Sequence, residues 1–399
     1  MVNGYRKFAI WFLNFVLLLI GLNLILYFLW MPDATTAANV YGMDTVMKAY
    51  PGWSRKDVAE LLHETVSAEM VYDIITQVKP PTFHGRFVTV DPAGFRHVED
   101  QGPWPPDPQA INIFVFGGST TFGVGLPDSE TIPSELQKAL AARHPVRTVH
   151  VYNFGVPTYT STQEMLAYVA LVRQGIVPDV AVFIDGLNDS VNWNGTWGPG
   201  NLISARMSYP VLATLVDLPM TKWARRVARL LVTQPGNGIG NRPSDSVSDE
   251  VVHRWMSNRE VVERIAAGWG KKTLFVWQPV CTFKYDLKYD LLWGLRASRL
   301  QFGLEAPIQF IYPRVERLNS EGALGSNFLY LGDMQLGIRK NLYVDGHHYT
   351  HDFSREIADR IADFLTSKGH VKTDGSQVKS PTASQSSRTA AVAPVLVRK

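Results

Sequence analysis

The sequence of 399 residues has a single cysteine, Cys281, which excludes an intrachain disulfide framework and a cysteine-built zinc cluster. Charge is scarce as well: 19% of residues are charged, and 39 bases against 36 acids leave a net charge of +3. No internal repeat and no H-E-x-x-H zinc helix occurs. The glycine-rich stretch at 117–123 carries no lysine before its Ser or Thr, so it is not a nucleotide-binding P-loop. What is present is ordinary for a globular chain, with 46% hydrophobic residues and 31 glycines, and this argues against wholesale disorder and collagen-like structure.

The two ends differ from the middle. Residues 8–31 form an uncharged run broken only by Asn14 and Asn23, long enough to cross a ~30 Å hydrocarbon core as a helix. Arg6 and Lys7 precede it and Asp33 follows, so the positive-inside rule puts the stub 1–7 in the cytoplasm and the bulk of the chain outside. A cleaved signal peptide, with Thr36-Ala37-Ala38 as its cleavage site, is the competing reading. The run far exceeds the ~7–15 apolar residues of a signal core, which favours an uncleaved anchor. Residues 368–399 are rich in Ser, Thr, Ala and Lys and lack aromatics, a composition that predicts a disordered tail. Six bases and one acid lie in that tail, and Arg6 and Lys7 add two charges at the other end. The remainder carries roughly −4, so the positive balance gives no support for nucleic-acid binding by the folded part.

Between the ends, residues 32–110 read as a linker and helical approach segment, with Ser54 as N-cap before Val58, Leu61 and Leu62 on one face. Strands are predicted at 111–116, 148–153, 179–184 and 273–278, and helices at 131–142, 161–174 and 352–365. This alternation predicts a three-layer α/β/α sandwich around a parallel sheet over 111–367. Residues 192–270 interrupt the rhythm and read as an insertion with a helix near 250–267. Within it, Met220, Trp223, Val227 and Leu230 share one face of a basic amphipathic helix, read as packed on the sheet with its arginines in solvent.

Ligands of open parallel sheets bind beyond the carboxyl ends of the strands, and four motifs sit there. Gly117-Gly118-Ser119 follows the first strand and would present a serine hydroxyl on a tight turn. Asn153-Phe154-Gly155 ends the second, where a glycine lets a backbone N–H approach a substrate oxygen. Asp185-Gly186-Leu187-Asn188-Asp189 ends the third and offers an amide to a developing oxyanion. Asp345-Gly346-His347-His348 precedes the last helix, and its carboxylate can fold back to orient an imidazole. The cluster of His347, His348 and His351 invites a metal reading, but no matching carboxylate-plus-His helix pattern accompanies it.

In order and local context, Ser119, Gly155, Asn188 and His348 resemble the four blocks of the SGNH (GDSL-like) hydrolase family. Gly186 to Asp189 matches its G-x-N-D block and Asp345 to His348 its D-x-x-H block. Gly118 departs from the usual Gly-Asp-Ser, a variant found in membrane-anchored bacterial members. The resemblance implies an SGNH/flavodoxin-like fold and a Ser119–His348–Asp345 triad. It also implies an oxyanion hole from the Ser119 and Gly155 N–H groups with the Asn188 side chain, and calls for neither cofactor nor metal. The activity it implies is that of a serine esterase or deacylase at the bacterial inner membrane, with its catalytic domain in the periplasm. Its substrate would be an acylated envelope carbohydrate or lipid, with Trp193 and Trp197 as candidate contacts to sugar rings. An O-acyltransferase would use the same residues, and a non-catalytic anchored subunit would need none of them together. Protein partners are not legible.

Overall fold

Runs of β-branched and aromatic residues, apolar on both faces, build a sheet that is covered on both sides. The computed structural model describes residues 2–29, 38, 41–66, 70–192, 218–221, 223–224, 245–292 and 305–373. Its central sheet comprises β1 (Ile111–Gly117), β2 (Val149–Gly155), β3 (Val180–Asp185), β4 (Lys272–Trp277) and β5 (Phe328–Tyr330), in the order β2-β1-β3-β4-β5. All neighbours run parallel. The chain winds outward in both directions from β1, so β1 and β3 flank the topological switch point where doubly wound folds place their crevice. Every residue of β1 and β3 is buried. The expected three-layer α/β/α sandwich is the architecture found.

Alternation along each strand divides the core into two chemistries. Ile113, Val115, Val151, Val182 and Val276 face α3 (Ile132–Ala142) and α7 (His351–Ser367), giving an aliphatic side. The opposite face is aromatic and meets α4 (Ser161–Arg173), α5 (Asp245–Gly268) and α6 (Glu305–Ser320). There Phe154, Phe116, Phe183 and Phe275 form a ladder across β2, β1, β3 and β4, with successive ring centroids 5.5, 4.9 and 5.2 Å apart. Pairs of this kind contribute roughly 0.5–1.5 kcal/mol each beyond their burial. The ladder stiffens the strand ends from which the candidate residues emerge.

Local signals account for the helix boundaries. Thr131 caps α3 by accepting from Ser134 N, with a proline in the first turn. Thr160 and Gln163 form a capping box on α4. Ser54 caps α2 (Arg55–Val66) by accepting from Asp57 N at 3.1 Å. The apolar face of α2 joins Tyr41, Tyr50 and Val344, so the approach segment packs against the loop that carries Asp345. The N-terminal run lies in helix α1 (Val2–Leu29), which is apolar enough from Gly4 to Phe28 to cross a membrane, with a mean hydropathy of 2.4.

Three boundaries differ from the sequence reading. Within the supposed insertion at 192–270, α5 is a layer helix: Val251, Trp255 and Val262 are buried against the aromatic face. Folded structure also continues past 367, where Val371 is buried and Val146 N donates to Lys372 O, so the first residues of the segment read as a tail belong to the fold. The sheet gains a fifth strand, β5, reached through α6, which the sequence reading did not contain. Most of the basic amphipathic helix and the chain from 374 onward lie outside the described residues.

Candidate active site

β1 ends in Gly117 and turns directly into one helical turn, Ser119–Phe122, with Gly118 as its N-cap. Ser119 opens that turn, so its backbone N–H belongs to the group that a helix leaves without an internal acceptor. Gly118 is required by close approach. A Cβ there would lie 2.2 Å from Asn188 Nδ2, so the Asp of the usual Gly-Asp-Ser block has no room unless that amide moves. This is a physical reason for the Gly-Gly-Ser variant in this chain. Ser119, Asn188, Gly118, Thr120, Asp189 and Gln278 share one cleft.

Asn188 lies on the short helix Leu187–Val191 that follows β3. Its Nδ2 donates to Tyr159 O at 2.7 Å, which locks the amide and leaves one of its two hydrogens for another acceptor. Gly155 is placed differently from the expectation that its N–H faces substrate. That N–H donates to Asn153 Oδ1 at 2.9 Å, so an oxyanion would have to share or displace this acceptor. The motif names both residues, but not the bond by which the Asn153 side chain claims the glycine's N–H.

The Asp345–His348 turn is closed by Val344 N donating to His348 O at 2.9 Å. Asp345 Oδ1 accepts from His347 N and His348 N, both at 2.9 Å, and Oδ2 meets His348 Nδ1 at 2.6 Å. Burial opposes ionisation of Asp345, but the His348 charge and hydrogen bond, with help from His347, hold its carboxyl well below the usual range. An ionised carboxylate only accepts, so Nδ1 carries the ring proton and Nε2 is the basic nitrogen. Nε2 is buried and has no hydrogen-bond partner among the described residues, Ser119 Oγ included.

His348 is not among the residues lining the Ser119 cleft, but the residues after Ser119 and His348 both bond to the segment that leaves β4. Thr120 Oγ1 donates to Gln278 Oε1 at 2.8 Å, and Tyr349 OH donates to Pro279 O at 2.7 Å. The neighbours of Ser119 and His348 are thus tied to successive residues leaving β4. Asp345, His347 and His348 also bring one ligand atom each within 4.8 Å of one another, a spacing that could hold a cation. The Asp345–His348 hydrogen bond occupies two of those three groups. His351 stands apart, against Glu135 at 3.1 Å.

Beneath Asn188 lie three buried carboxylates. Asp189 accepts from Ser161 N and Ser161 Oγ at 3.1 and 2.6 Å, tying the Asn188 helix to the start of α4. Asp185 accepts from Trp255 Nε1 at 3.0 Å. Burial, reinforced by Asp189, pushes Asp185 up to about 7, and burial raises Glu164 well above its ordinary value.

Trp193 and Trp197 lie outside the described residues. Tyr285 belongs to the core and donates to Lys340 O at 2.8 Å, and Tyr289 is partly buried against the same cluster. Sequence reasoning missed Arg96 altogether. It is fully buried in the approach segment, and no motif or periodicity marks it out.

No protein-family model matches the chain, and no curated protein matches it. Among solved structures it is similar to a lipase/acylhydrolase from Enterococcus faecalis, at 14% identity and a TM-score of 0.35, covering 66% of this chain and 98% of that one. It is also similar to a member of the lipolytic protein G-D-S-L family from Veillonella parvula, at 11% identity, TM-score 0.35, and coverage of 64% and 97%. A third likeness is to the acetyl xylan esterase AlAXEase, at 13% identity, TM-score 0.36, and coverage of 64% and 100%. At such identities and scores these are likenesses in fold, and none assigns a role to a residue of this chain.

Proposed function

We propose that this chain is an SGNH-type serine ester hydrolase, anchored by its N-terminal helix, that removes acyl groups from envelope carbohydrate or lipid. The observation that carries the reading is the Asp345–His348 pair, with an ionised carboxylate fixing Nδ1–H and a buried Nε2 that has no partner among the described residues. Beside it stands a serine that shares a cleft with a locked amide, and the residues after Ser119 and His348 are both bonded to the β4 exit. A structural histidine pair has no need of such a neighbour.

In this mechanism His348 Nε2 takes the Ser119 proton as Oγ attacks the ester carbonyl, and Asp345 supports the resulting imidazolium. The carbonyl oxygen becomes an oxyanion held by Ser119 N–H and Asn188 Nδ2, with Gly155 N–H joining if it leaves Asn153. The alkoxide leaves with the proton from His348, and water, activated by the same imidazole, releases the acid. Catalytic hydrogen bonds of this kind commonly tighten only when substrate is bound, so in this mechanism the Ser119–His348 bond forms together with the substrate.

Arg6 and Lys7 before the apolar helix support an extracytoplasmic catalytic domain at the bacterial inner membrane. Trp193 and Trp197, which follow the Asn188 block, are proposed as sugar contacts. The test is an assay of the purified full chain in detergent with p-nitrophenyl acetate, with and without a sugar acceptor. Acetate release that depends on Ser119 and is indifferent to acceptor supports a hydrolase. Acetyl transfer to the sugar with little free acetate would replace it with an acyltransferase, and no turnover at all would defeat the proposal.

A further inference from the structure

The helical turn that carries Ser119 is too short to hold itself. Four residues form its only turn, and Gly123, in a left-handed conformation at φ 90°, ends it before further helical bonds can accumulate. Its carboxyl-end carbonyls are instead taken by side chains from elsewhere in the chain. Arg96 Nη1 donates to Phe122 O and to Gly123 O, each at 2.8 Å, and Nη2 donates to Leu126 O at 2.6 Å. Arg96 Nε donates to Asp128 Oδ1 at 2.7 Å, and Asp128 Oδ2 accepts from Thr89 N at 2.8 Å. The guanidinium lies 4.9 Å from the Phe122 ring centroid. Asn153 Nδ2 adds a bond to Thr121 O at 3.0 Å, and Arg96 N in turn donates to Asn153 O at 2.9 Å.

A fully buried arginine is costly unless its donors are satisfied; here Nη1 takes the carbonyls at the end of the nucleophile turn, and Nη2 and Nε hold the loop that follows it at Leu126 and Asp128. We propose that Arg96 is a positioning residue for catalysis. It grips the carboxyl end of the Ser119–Phe122 turn and so fixes where Ser119 Oγ and Ser119 N–H stand relative to Asn188 and His348. The inference rests on the hydrolase reading above. It makes the approach segment before β1 part of the catalytic apparatus rather than a spacer between anchor and enzyme. A planar fork that reaches three carbonyls and a carboxylate together cannot be replaced by the point charge of lysine.

The test compares full-length wild type with Arg96→Gln, Arg96→Lys and Asp128→Asn in detergent. It measures kcat and KM on p-nitrophenyl acetate, the rate of fluorophosphonate labelling and the thermal midpoint. Misplacing a reacting group by about 1 Å typically costs ~10²-fold. Arg96→Gln should therefore lose about 30–100-fold in kcat per labelled site with KM within about threefold, and labelling should slow in parallel. Arg96→Lys should recover part of that loss. Asp128→Asn, which releases the guanidinium on one side, should lose less than Arg96→Gln and keep KM. If Arg96→Gln does not fold, the Lys and Asn variants decide. Variants with a lowered thermal midpoint but kcat per labelled site within about twofold of wild type would make Arg96 purely structural and overturn the inference. A wild type that neither labels nor cleaves ester would remove the hydrolase reading and this inference with it. Active wild type with unimpaired Arg96 variants removes only the inference.

Discussion

Gly118→Ala is the sharpest perturbation the site offers, because it adds one methyl and leaves the proposed chemical groups in place. The backbone at Gly118 has φ −84° and ψ −152°, extended and with a negative φ, so the left-handed conformation that demands glycine is not at issue and the contact is the main effect. The new Cβ would lie 2.2 Å from Asn188 Nδ2 and 3.4 Å from Tyr159 O. Regaining ordinary contact with the amide requires a retreat of about 1.2 Å, and its 2.7 Å bond to Tyr159 O is stretched or broken on the way. Loss or misplacement of one oxyanion donor costs about 3–4 kcal/mol, or ~10²–10³ in kcat. Active-site titration by fluorophosphonate, followed by kcat and KM on p-nitrophenyl acetate, would measure the loss per intact serine. The expected result is a fall of about 10²–10³ in kcat with KM nearly unchanged. A Gly118→Ala enzyme within about threefold of wild type would refute Asn188 as an oxyanion donor.

Further expectations concern the imidazole pair and the buried acids. His348→Ala should abolish ester cleavage while His347→Ala largely spares it, and Asp345→Asn should lower kcat by about 10⁴ through the wrong tautomer; the reverse pattern for the two histidines would reassign the base. Asp185, pushed up to about 7 by burial and Asp189, binds a proton in the folded chain that the unfolded chain has released above pH ~4. The stability this group contributes should therefore fall as pH rises from about 4 to 7 and level off above that. Asp185→Asn keeps an acceptor for Trp255 Nε1 and should make the decline of the thermal midpoint between about pH 5 and 7 shallower; an unchanged slope would contradict the assignment.

What could be read from the sequence was whatever is local. Strands β1 to β4 are runs of apolar, β-branched and aromatic residues bounded by turn formers, and Ser119, Gly155, Asn188 and Asp345 draw attention because each marks where the chain leaves an element. β5 has three residues, too few to show a period, and α6 carries an interior proline, Pro313, that breaks the helical signal before it. α5 was read inside an insertion because the long segment before it hides the strand–helix–strand rhythm. Arg96, Tyr159 and the side-chain role of Asn153 are invisible for a different reason. Arg96 and Asn153 reach carbonyls 26 to 32 positions away, and the Tyr159 carbonyl meets Asn188 29 positions on; such pairings leave no mark on spacing. The occupied Gly155 N–H belongs with them, since a motif names a backbone donor but not the side chain that has already claimed it.

The central claim is that Ser119 is a nucleophile activated by His348, and peptide mapping after fluorophosphonate labelling tests it most directly. The account predicts a single labelled peptide containing Ser119, lost in Ser119→Ala and strongly slowed in His348→Ala while both variants keep the wild-type thermal midpoint within a few degrees. Label that is absent from the wild type, or that maps to another serine and persists in Ser119→Ala, would contradict it.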